Sequence, residues 1–307
     1  MMGFSAMLAQ LITIAILVLF PTSSSAAIPT TTVIAKPDCD DHCGNVKIPY
    51  PFGMTKDCYL NKFFFINCDV SFNPPKAFLG SSNVNVTDIF LDKGQIQILK
   101  YVSYDCYDRQ GNNTDYQLYS LSLSKFTVSD TENKFTAVGC DTYAIVQGFK
   151  GDGQRYTAGC MSICDQKEAV IVDSCSGAGC CQLSIPEGLQ NWTVKLDSYY
   201  NHTNVSDFNL CSYAFVAKES EFTFTKDSFQ DLAHREKLPL VLDWSIGNQT
   251  CEVAQMDMDN YACKAVNSIC TTLPRVKGSG YICNCPNGYQ GNPYLLDGCQ
   301  GMIILDV

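Results

Sequence analysis

Residue types that bind metals stand together early in the chain, where residues 39–43 read Cys-Asp-Asp-His-Cys. Cysteine thiolates, imidazoles and carboxylates are common zinc ligands, but a cysteine oxidised to a disulfide no longer offers a thiolate. The chain has 18 cysteines, and an even, high number is typical of a disulfide framework in an exported protein. We therefore predict disulfides here, with neither a metal site nor a cofactor.

Catalytic arrangements are scarce. The Gly-x-Ser-x-Gly motif of serine hydrolases does not occur. The three histidines are His42, His202 and His234, and His202 lies inside a glycosylation sequon, which predicts a surface loop. Adjacent carboxylates such as Asp40 and Asp41 support glycoside hydrolysis only at set separations across a cleft. We predict that the chain is not an enzyme and assign no catalytic residue.

The beginning of the chain predicts export. Residues 7–20 form an apolar run of about 14 residues, which Pro21 ends and small residues follow up to Ala27. A helix that crosses a bilayer needs about 20 apolar residues, and small residues after a shorter run are typical of a signal-peptide cleavage site. We interpret residues 1–27 as a signal peptide; a buried N-terminal helix is the alternative. The mature protein is expected to be secreted.

Six Asn-x-Ser/Thr sequons agree with an extracellular location. A glycosylated asparagine faces solvent, so the segments around these positions are not expected to belong to the core. The sequons lie at Asn85, Asn112, Asn191, Asn201, Asn204 and Asn248. A net charge of −10 argues against nucleic-acid binding, which requires a basic surface.

Strand signals dominate the secondary-structure pattern. Residues 63–68 and 221–225 are rich in aromatic and β-branched side chains, and residues 95–102 largely alternate between apolar and polar. Residues 125–128 and 134–138 flank five polar residues, which predicts a hairpin. The fold class is therefore mainly β and disulfide-rich, with cysteine-rich β modules followed by a small cysteine-bridged domain.

One helix is expected, over residues 228–237 with Ser228 as its N-cap. The chain then divides into a signal peptide (1–27), a flexible lead (28–38), a first cysteine-rich module (39–106), a second cysteine-rich β region (107–218), a connector (219–239), a C-terminal cysteine module (240–299) and a tail (300–307).

The last six cysteines have informative spacing. They are Cys251, Cys263, Cys270, Cys283, Cys285 and Cys299, with 11, 6, 12, 1 and 13 residues between them. The Cys-x-Cys pair at the end of a strand, followed by Gly288-Tyr289 and a last cysteine, resembles the epidermal-growth-factor-like (EGF-like) domain. Spacing alone leaves 15 pairings open. The resemblance implies the pairs Cys251–Cys270, Cys263–Cys283 and Cys285–Cys299.

Calcium-binding EGF-like domains carry an acidic motif just before the first cysteine. Residues 246–250 of this chain read Ile-Gly-Asn-Gln-Thr and contain no carboxylate. Calcium requires several hard oxygen ligands, usually including carboxylates. We therefore predict no calcium site in this module.

A second resemblance covers residues 39–299. It begins with Cys39-x3-Cys43-Gly44, continues with Ile-Pro-Tyr-Pro-Phe-Gly at 48–53, and includes Cys-Ser-Gly-Ala-Gly-Cys-Cys-Gln at 175–182. Leu-Asp-Trp-Ser-Ile-Gly follows at 242–247. In this order the segments resemble the extracellular region of plant wall-associated receptor kinases, a galacturonan-binding module followed by EGF-like modules.

The resemblance implies a partner and a place. Members of that family bind pectin, the polygalacturonate (homogalacturonan) of the cell wall, outside the cell and signal through an intracellular kinase. After Cys299 the family usually continues with a calcium-binding module, a membrane span and a kinase, whereas this sequence reads Gln300–Val307. The expectation is therefore a secreted protein of the cell wall without its own membrane span, or a fragment of a plasma-membrane receptor.

A carboxylate polymer would be bound by basic side chains and by flat aromatic faces against its sugar rings. Residues 43–62 contain three lysines against Asp57 as the one acid. We assign Lys47, Tyr50, Phe52, Lys56 and Lys62 as candidate pectin contacts, with the two prolines at 49 and 51 presenting the rings. The alternative is that the lysines are ordinary solvated charges and that the rings are core.

Two functions from different classes are compatible with this sequence. The first is a non-catalytic extracellular polysaccharide-binding module, which predicts saturable, salt-sensitive binding to de-esterified pectin. The second is a soluble protein-interaction module or decoy that binds a receptor ectodomain and is indifferent to pectin.

Overall fold

The computed structural model describes residues 33–273 and 280–302. The expected signal peptide (1–27), the first part of the expected lead (28–32), residues 274–279 and most of the expected tail (303–307) lie outside the described residues. Within the described ranges, no helix combines the length and the apolar content needed to cross a bilayer.

The predicted fold class is confirmed: the chain is mainly β and is cross-linked by nine disulfides. The first strands are β1 (His42–Cys43), β2 (Val46–Lys47), β3 (Ile66–Asp69), β4 (Lys76–Leu79), β5 (Asn85–Phe90), β6 (Gln95–Tyr101), β7 (Ser103–Tyr107), β8 (Asn113–Gln117), β9 (Ser120–Ser122), β10 (Thr127–Val128) and β11 (Asn133–Gly139). The later strands are β12 (Asp141–Lys150), β13 (Arg155–Ile163), β14 (Gly179–Ser184), β15 (Leu189–Asp197), β16 (Cys211–Lys218), β17 (Lys237–Asp243), β18 (Ile269–Leu273), β19 (Gly280–Asn284), β20 (Tyr289–Gly291) and β21 (Cys299–Gly301).

Helical structure is short. The α-helices of the described residues are α1 (Ser228–His234) and α2 (Cys251–Ala254), and single 3-10 turns lie at Lys62–Phe64, Lys167–Ala169 and Glu219–Glu221. Thr250 caps α2, since its side chain accepts a hydrogen bond from the Val253 N–H.

Three antiparallel sheets make up the body. Their strand orders are β10-β17-β6-β5-β4-β3, β14-β11-β16-β7-β8 and β13-β12-β15-β9. The alternation seen at residues 95–102 forms β6, whose Ile96 and Ile98 are fully buried opposite Leu242 and Leu240 of β17. Because side chains alternate between the two faces of a strand, this register places one apolar row of each strand in the core.

The predicted hairpin between residues 125–128 and 134–138 is wrong. β10 pairs with β17, whereas β11 lies in another sheet between β14 and β16. Between β10 and β11 the chain crosses from one sheet to the other, and the buried Asn133 side chain stabilises this crossing. Its Nδ2 donates to Ser129 O and Val241 O, and its Oδ1 accepts from Val241 N. The amide thus satisfies β17 backbone groups at the place where a paired strand would continue.

The expectations for residues 219–239 are partly wrong. The helix covers Ser228–His234 and ends before β17 begins at Lys237, and Ser228 Oγ accepts from Thr225 N rather than capping the helix. Residues 222–225 form no strand. The expected connector therefore contributes a helix and the first residues of a central strand.

Both ends of the described chain meet in one core. Asn292, near the C-terminus, donates through Nδ2 to Ile34 O and Tyr50 O, which anchors residues that were expected to form a flexible lead. Trp244 N donates to Gly94 O, and Ile246 pairs with Tyr281 of the C-terminal module. The C-terminal module is thus packed against the six-stranded sheet.

Candidate functional site

The Cys-Asp-Asp-His-Cys segment is held by disulfides. Cys39 bonds to Cys58 and Cys43 bonds to Cys68, so neither cysteine is a thiolate. His42 Nδ1 lies 2.6 Å from Asp41 Oδ1, and both side chains are about half exposed. This segment is a cross-linked turn at the surface.

Two of the candidate contacts are core residues. Phe52 is 1% exposed, and its ring centroid lies 5.0 Å from that of Phe64 and 5.3 Å from that of Trp244, edge to face in both cases. Tyr50 is 8% exposed and lies beneath the Lys36 ammonium, 4.6 Å from the ring centroid. The interpretation that prolines present these rings to a ligand is wrong, because the turn directs Phe52 inwards against the sheet.

The three candidate lysines Lys47, Lys56 and Lys62 are exposed. Lys62 and a second lysine, Lys125, lie near the same aromatic ring. The Nζ atom of each is 5.4 Å from the Phe63 ring centroid. Sequence reasoning missed Lys125, because the sheet topology alone brings residues 63 and 125 together. Of the further basic residues in this chain, Arg275 and Lys277 lie outside the described residues.

A cleft of about 210 Å³ opens beside Phe63. We call it the Phe63 cleft; it is lined by Asn61, Phe63, Phe64, Lys125, Phe126, Trp244, Ser245, Gly247 and Asn248. Asn61 lies at the start of the 3-10 turn, where its Oδ1 accepts from Phe63 N and fixes the turn. The segment before β10 supplies Lys125, and the segment after β17 supplies Trp244.

A second cleft, of about 560 Å³, is lined by tyrosines. We call it the tyrosine cleft; Tyr101, Tyr104, Tyr119 and Tyr213 lie along it with Asp115, Arg235 and Glu236. The rings of Tyr101 and Tyr119 stack at 4.8 Å, and Lys237 Nζ lies 4.3 Å from the Tyr101 centroid. Burial raises the pKa of Tyr213 to about 12. Tyr104 donates to Asp115, so this cleft contains carboxylates as well as cations.

His202 is fully buried, which contradicts the predicted surface loop for this residue. Asn201 beside it is exposed, and both residues adopt left-handed backbone conformations that turn their side chains in different directions. Nδ1 of His202 lies 2.9 Å from Asn209 O, and Nε2 lies 2.9 Å from Ser212 Oγ. Burial lowers the pKa of His202, so the neutral ring is the native form, with Nδ1–H donating to the carbonyl.

A buried carboxylate holds the same turn. Asp141 accepts from the backbone N–H groups of Tyr199, Tyr200 and His202. On the other side of His202, the Tyr107 ring stacks at 5.4 Å, and its hydroxyl donates to Asp105. Burial raises the pKa of Asp105. With His202 and Ser212 fully buried, this network is structural.

Seven further disulfides cross-link the chain. Cys106–Cys211 links β7 to β16, and Cys140–Cys164 links the residue before β12 to the residue after β13. The adjacent Cys180 and Cys181 bond to separate partners, Cys175 and Cys160. In the C-terminal module the bonds are Cys251–Cys270, Cys263–Cys283 and Cys285–Cys299, the same pairs that the EGF-like resemblance implies.

The six sequons differ in their surroundings. Asn112, Asn201, Asn204 and Asn248 are exposed. Asn85 is half-buried in β5, where its Nδ2 donates to Ala77 O. Asn191 is half-buried in β15, where its Oδ1 accepts from Ser122 Oγ and Leu123 N. A glycan meets little obstruction at the four exposed positions.

Comparison with known proteins finds sequence similarity to plant wall-associated receptor kinases. Residues 39–100 match the family model described as wall-associated receptor kinase galacturonan-binding. The chain is 38% identical to wall-associated receptor kinase 2 of Arabidopsis thaliana over 266 residues, which are 86% of this chain and 34% of that protein. It is 38% identical to wall-associated receptor kinase 5 over 278 residues (88% and 36%) and 35% identical to wall-associated receptor kinase 1 over 272 residues (86% and 34%), both of the same plant.

The chain therefore spans about a third of the length of these curated relatives. No solved structure matches it.

Proposed function

We propose that this chain, which is homologous to the wall-associated receptor kinases over most of its length, is an extracellular, non-catalytic module that binds polygalacturonate of the plant cell wall. The observation that carries the proposal is the match of residues 39–100 to a galacturonan-binding family model. The nine disulfides support an oxidising location such as the cell wall, since reduced compartments do not maintain such a framework.

The exposed lysines supply the chemistry for a carboxylate polymer. The net charge of −10 opposes long-range attraction to a polyanion, so binding depends on local cations such as Lys47, Lys56 and Lys62. N-glycans at the exposed sequon positions Asn112, Asn201, Asn204 and Asn248 would be compatible with the fold, whereas Asn85 and Asn191 are less accessible.

The test is retention of the secreted chain on immobilised polygalacturonate, with and without calcium. We expect saturable retention that weakens as salt is raised, because contacts between exposed charges are screened beyond about 8–10 Å at physiological ionic strength. Fully methyl-esterified pectin serves as the matched polymer without carboxylates. Equal retention on both polymers, or none on either, would argue against the proposal.

A protein partner is the second candidate function. It is favoured by large apolar side chains at the surface of the C-terminal module, where Met256 is 84% exposed, Met258 67% and Val266 93%. Exposed apolar side chains are typical of contact surfaces where they form a contiguous patch. This function predicts capture by a receptor ectodomain together with indifference to polygalacturonate, so one pair of binding assays separates the two candidates.

A further inference from the structure

We propose that the Phe63 cleft is the place where a uronate residue of polygalacturonate binds, with Lys62 and Lys125 contacting its carboxylate. This inference rests on the proposed function and adds the site and the residues. Lys125, Phe63 and Trp244 come from distant parts of the sequence and form the cleft through the packing of the six-stranded sheet.

The two ammonium groups are free to take an anion. The Nζ atoms of Lys125, which lines the cleft, and of Lys62, which lies next to it in space, are each 5.4 Å from the Phe63 centroid. The ion pairs of the described residues are His42–Asp41 and Lys134–Glu219, so neither of these lysines is neutralised by a carboxylate there. Both cations lie beside the same ring, so both attract an anion that binds at this cleft.

The lining of the cleft is rich in hydrogen-bond donors. Trp244 is 3% exposed, and its indole Nε1 is buried without a hydrogen-bond partner among the described residues. A buried donor of this kind costs free energy unless a partner reaches it. Asn61 uses its carbonyl oxygen on Phe63 N, which leaves its amide N–H groups for other acceptors. Sugar hydroxyl and carboxylate oxygens are such acceptors.

Charge distinguishes this cleft from the tyrosine cleft. The residues described along the Phe63 cleft include no Asp or Glu, whereas Asp115 and Glu236 line the tyrosine cleft and would repel a uronate. The volume of about 210 Å³ is below the roughly 300–1,000 Å³ of pockets that enclose a drug-sized ligand. One sugar unit would therefore enter, while the rest of the polymer runs over the surface.

The experiment compares lysine variants in binding to polygalacturonate. We expect Lys62→Ala and Lys125→Ala each to weaken binding about threefold, and the double variant about tenfold, since an exposed ion pair contributes roughly 0.2–1 kcal/mol. Lys93→Ala is the matched control: Lys93 is exposed and its Nζ lies 5.9 Å from the centroid of a different ring, that of Phe90, which does not line this cleft. Its affinity should stay within twofold of the wild type. Unchanged melting temperatures establish that the variants fold.

An independent readout uses tryptophan fluorescence. The chain has two tryptophans, so Trp192→Phe leaves Trp244 as the reporter in the cleft. Short oligogalacturonides should change its emission at saturating concentration in this variant, and the change should require higher concentrations when Lys125→Ala is added. Neutral, methyl-esterified oligomers should leave the emission unchanged.

Because Asn248 lies on the rim of the cleft, binding is measured on protein from which N-glycans have been trimmed. If the wild type binds polygalacturonate and the double lysine variant binds it equally well, the cleft assignment is overturned while the proposed function stands. Loss of binding in Lys47→Ala/Lys56→Ala but not in Lys62→Ala/Lys125→Ala would also overturn it and move the site to another face. If the wild type binds no polygalacturonate, both proposals fail.

Discussion

A single buried imidazole gives this extracellular protein a pH-dependent stability. His202 is fully buried between Asn209 O and Ser212 Oγ, and burial lowers its pKa below the ordinary value of 6.5. Between the native pKa and pH 6.5, His202 therefore binds a proton in the unfolded chain but not in the native protein. The contribution of neutral His202 to the free energy of unfolding is complete above pH 6.5. It falls as the pH is lowered towards the native pKa, by up to about 1.4 kcal/mol per pH unit.

The variant His202→Gln tests this. It should lower the free energy of unfolding near neutral pH by about 1–3 kcal/mol, through lost buried hydrogen bonds, and it should flatten the decline below pH 6.5. Denaturant titrations at a series of pH values measure both effects.

Burial raises the pKa of Asp105, so this carboxyl lowers the free energy of unfolding as the pH rises above 3.8. The charge of His202 lowers the pKa of Asp105, so the Asp105 contribution also changes in His202→Gln and is included when the two slopes are compared. His234→Gln, at an exposed position, should keep the wild-type slope; a slope unchanged by His202→Gln would contradict the assignment.

At the scale of elements, Asn133 fixes the crossing from one sheet to the next. Its amide forms hydrogen bonds with Ser129 O and with both backbone groups of Val241. Asn133→Ala leaves the Val241 N–H without its partner, while Val241 O keeps Ser129 N and Ser129 O keeps the backbone N–H of residue 133. The substitution should cost about 1–3 kcal/mol of unfolding free energy. Thr131→Ala, an exposed change in the same loop, should cost less than about 0.5 kcal/mol. Equal costs for the two substitutions in denaturant unfolding would show that the amide does not hold the crossing.

This loop also shows where sequence reasoning stops at the level of elements. Local pattern predicts β6 well, because alternation depends only on which face of a strand is buried. Residues 125–128 and 134–138 have equally good strand patterns, but a local sequence pattern does not determine which strand each of them pairs with. The pairing of β10 with β17, more than a hundred residues away, is decided by packing of the whole sheet. Lys125 was missed as a neighbour of Phe63 for the same reason.

At the scale of the molecule, one core is shared by the six-stranded sheet and the C-terminal module. It contains the aromatic residues that sequence reasoning assigned to a binding face. Phe52 packs on Trp244, and Trp244 lies 6.1 Å from Tyr294 of the C-terminal module. A rigid Pro-rich turn was predictable from the sequence, but the direction in which it points Phe52 was not, because that depends on a module some 200 residues later. The three bridges of the C-terminal module were predictable from the EGF-like resemblance, whereas cysteine spacing alone left 15 pairings open.

The packing of the C-terminal module against the sheet can be tested at a glycine. Gly94 has φ +62°, and a Cβ built there would lie 2.9 Å from Ile282 Cγ2 and 3.0 Å from Trp244 O. Gly80 has φ +58° with nothing within 4 Å of the same Cβ. Both Gly→Ala substitutions carry the left-handed backbone cost of about 1–2 kcal/mol, and Gly94→Ala should cost about 1–3 kcal/mol more through overpacking.

Calorimetry of the two variants compares these costs and counts the transitions. Because Ile282 and Trp244 lie in the core that joins the two regions, we expect one transition in the wild type and in Gly80→Ala, and a lower melting temperature in Gly94→Ala. Equal melting temperatures for the two variants, or a wild-type C-terminal module that melts on its own, would mean that the contact at Ile282 does not couple the module to the sheet.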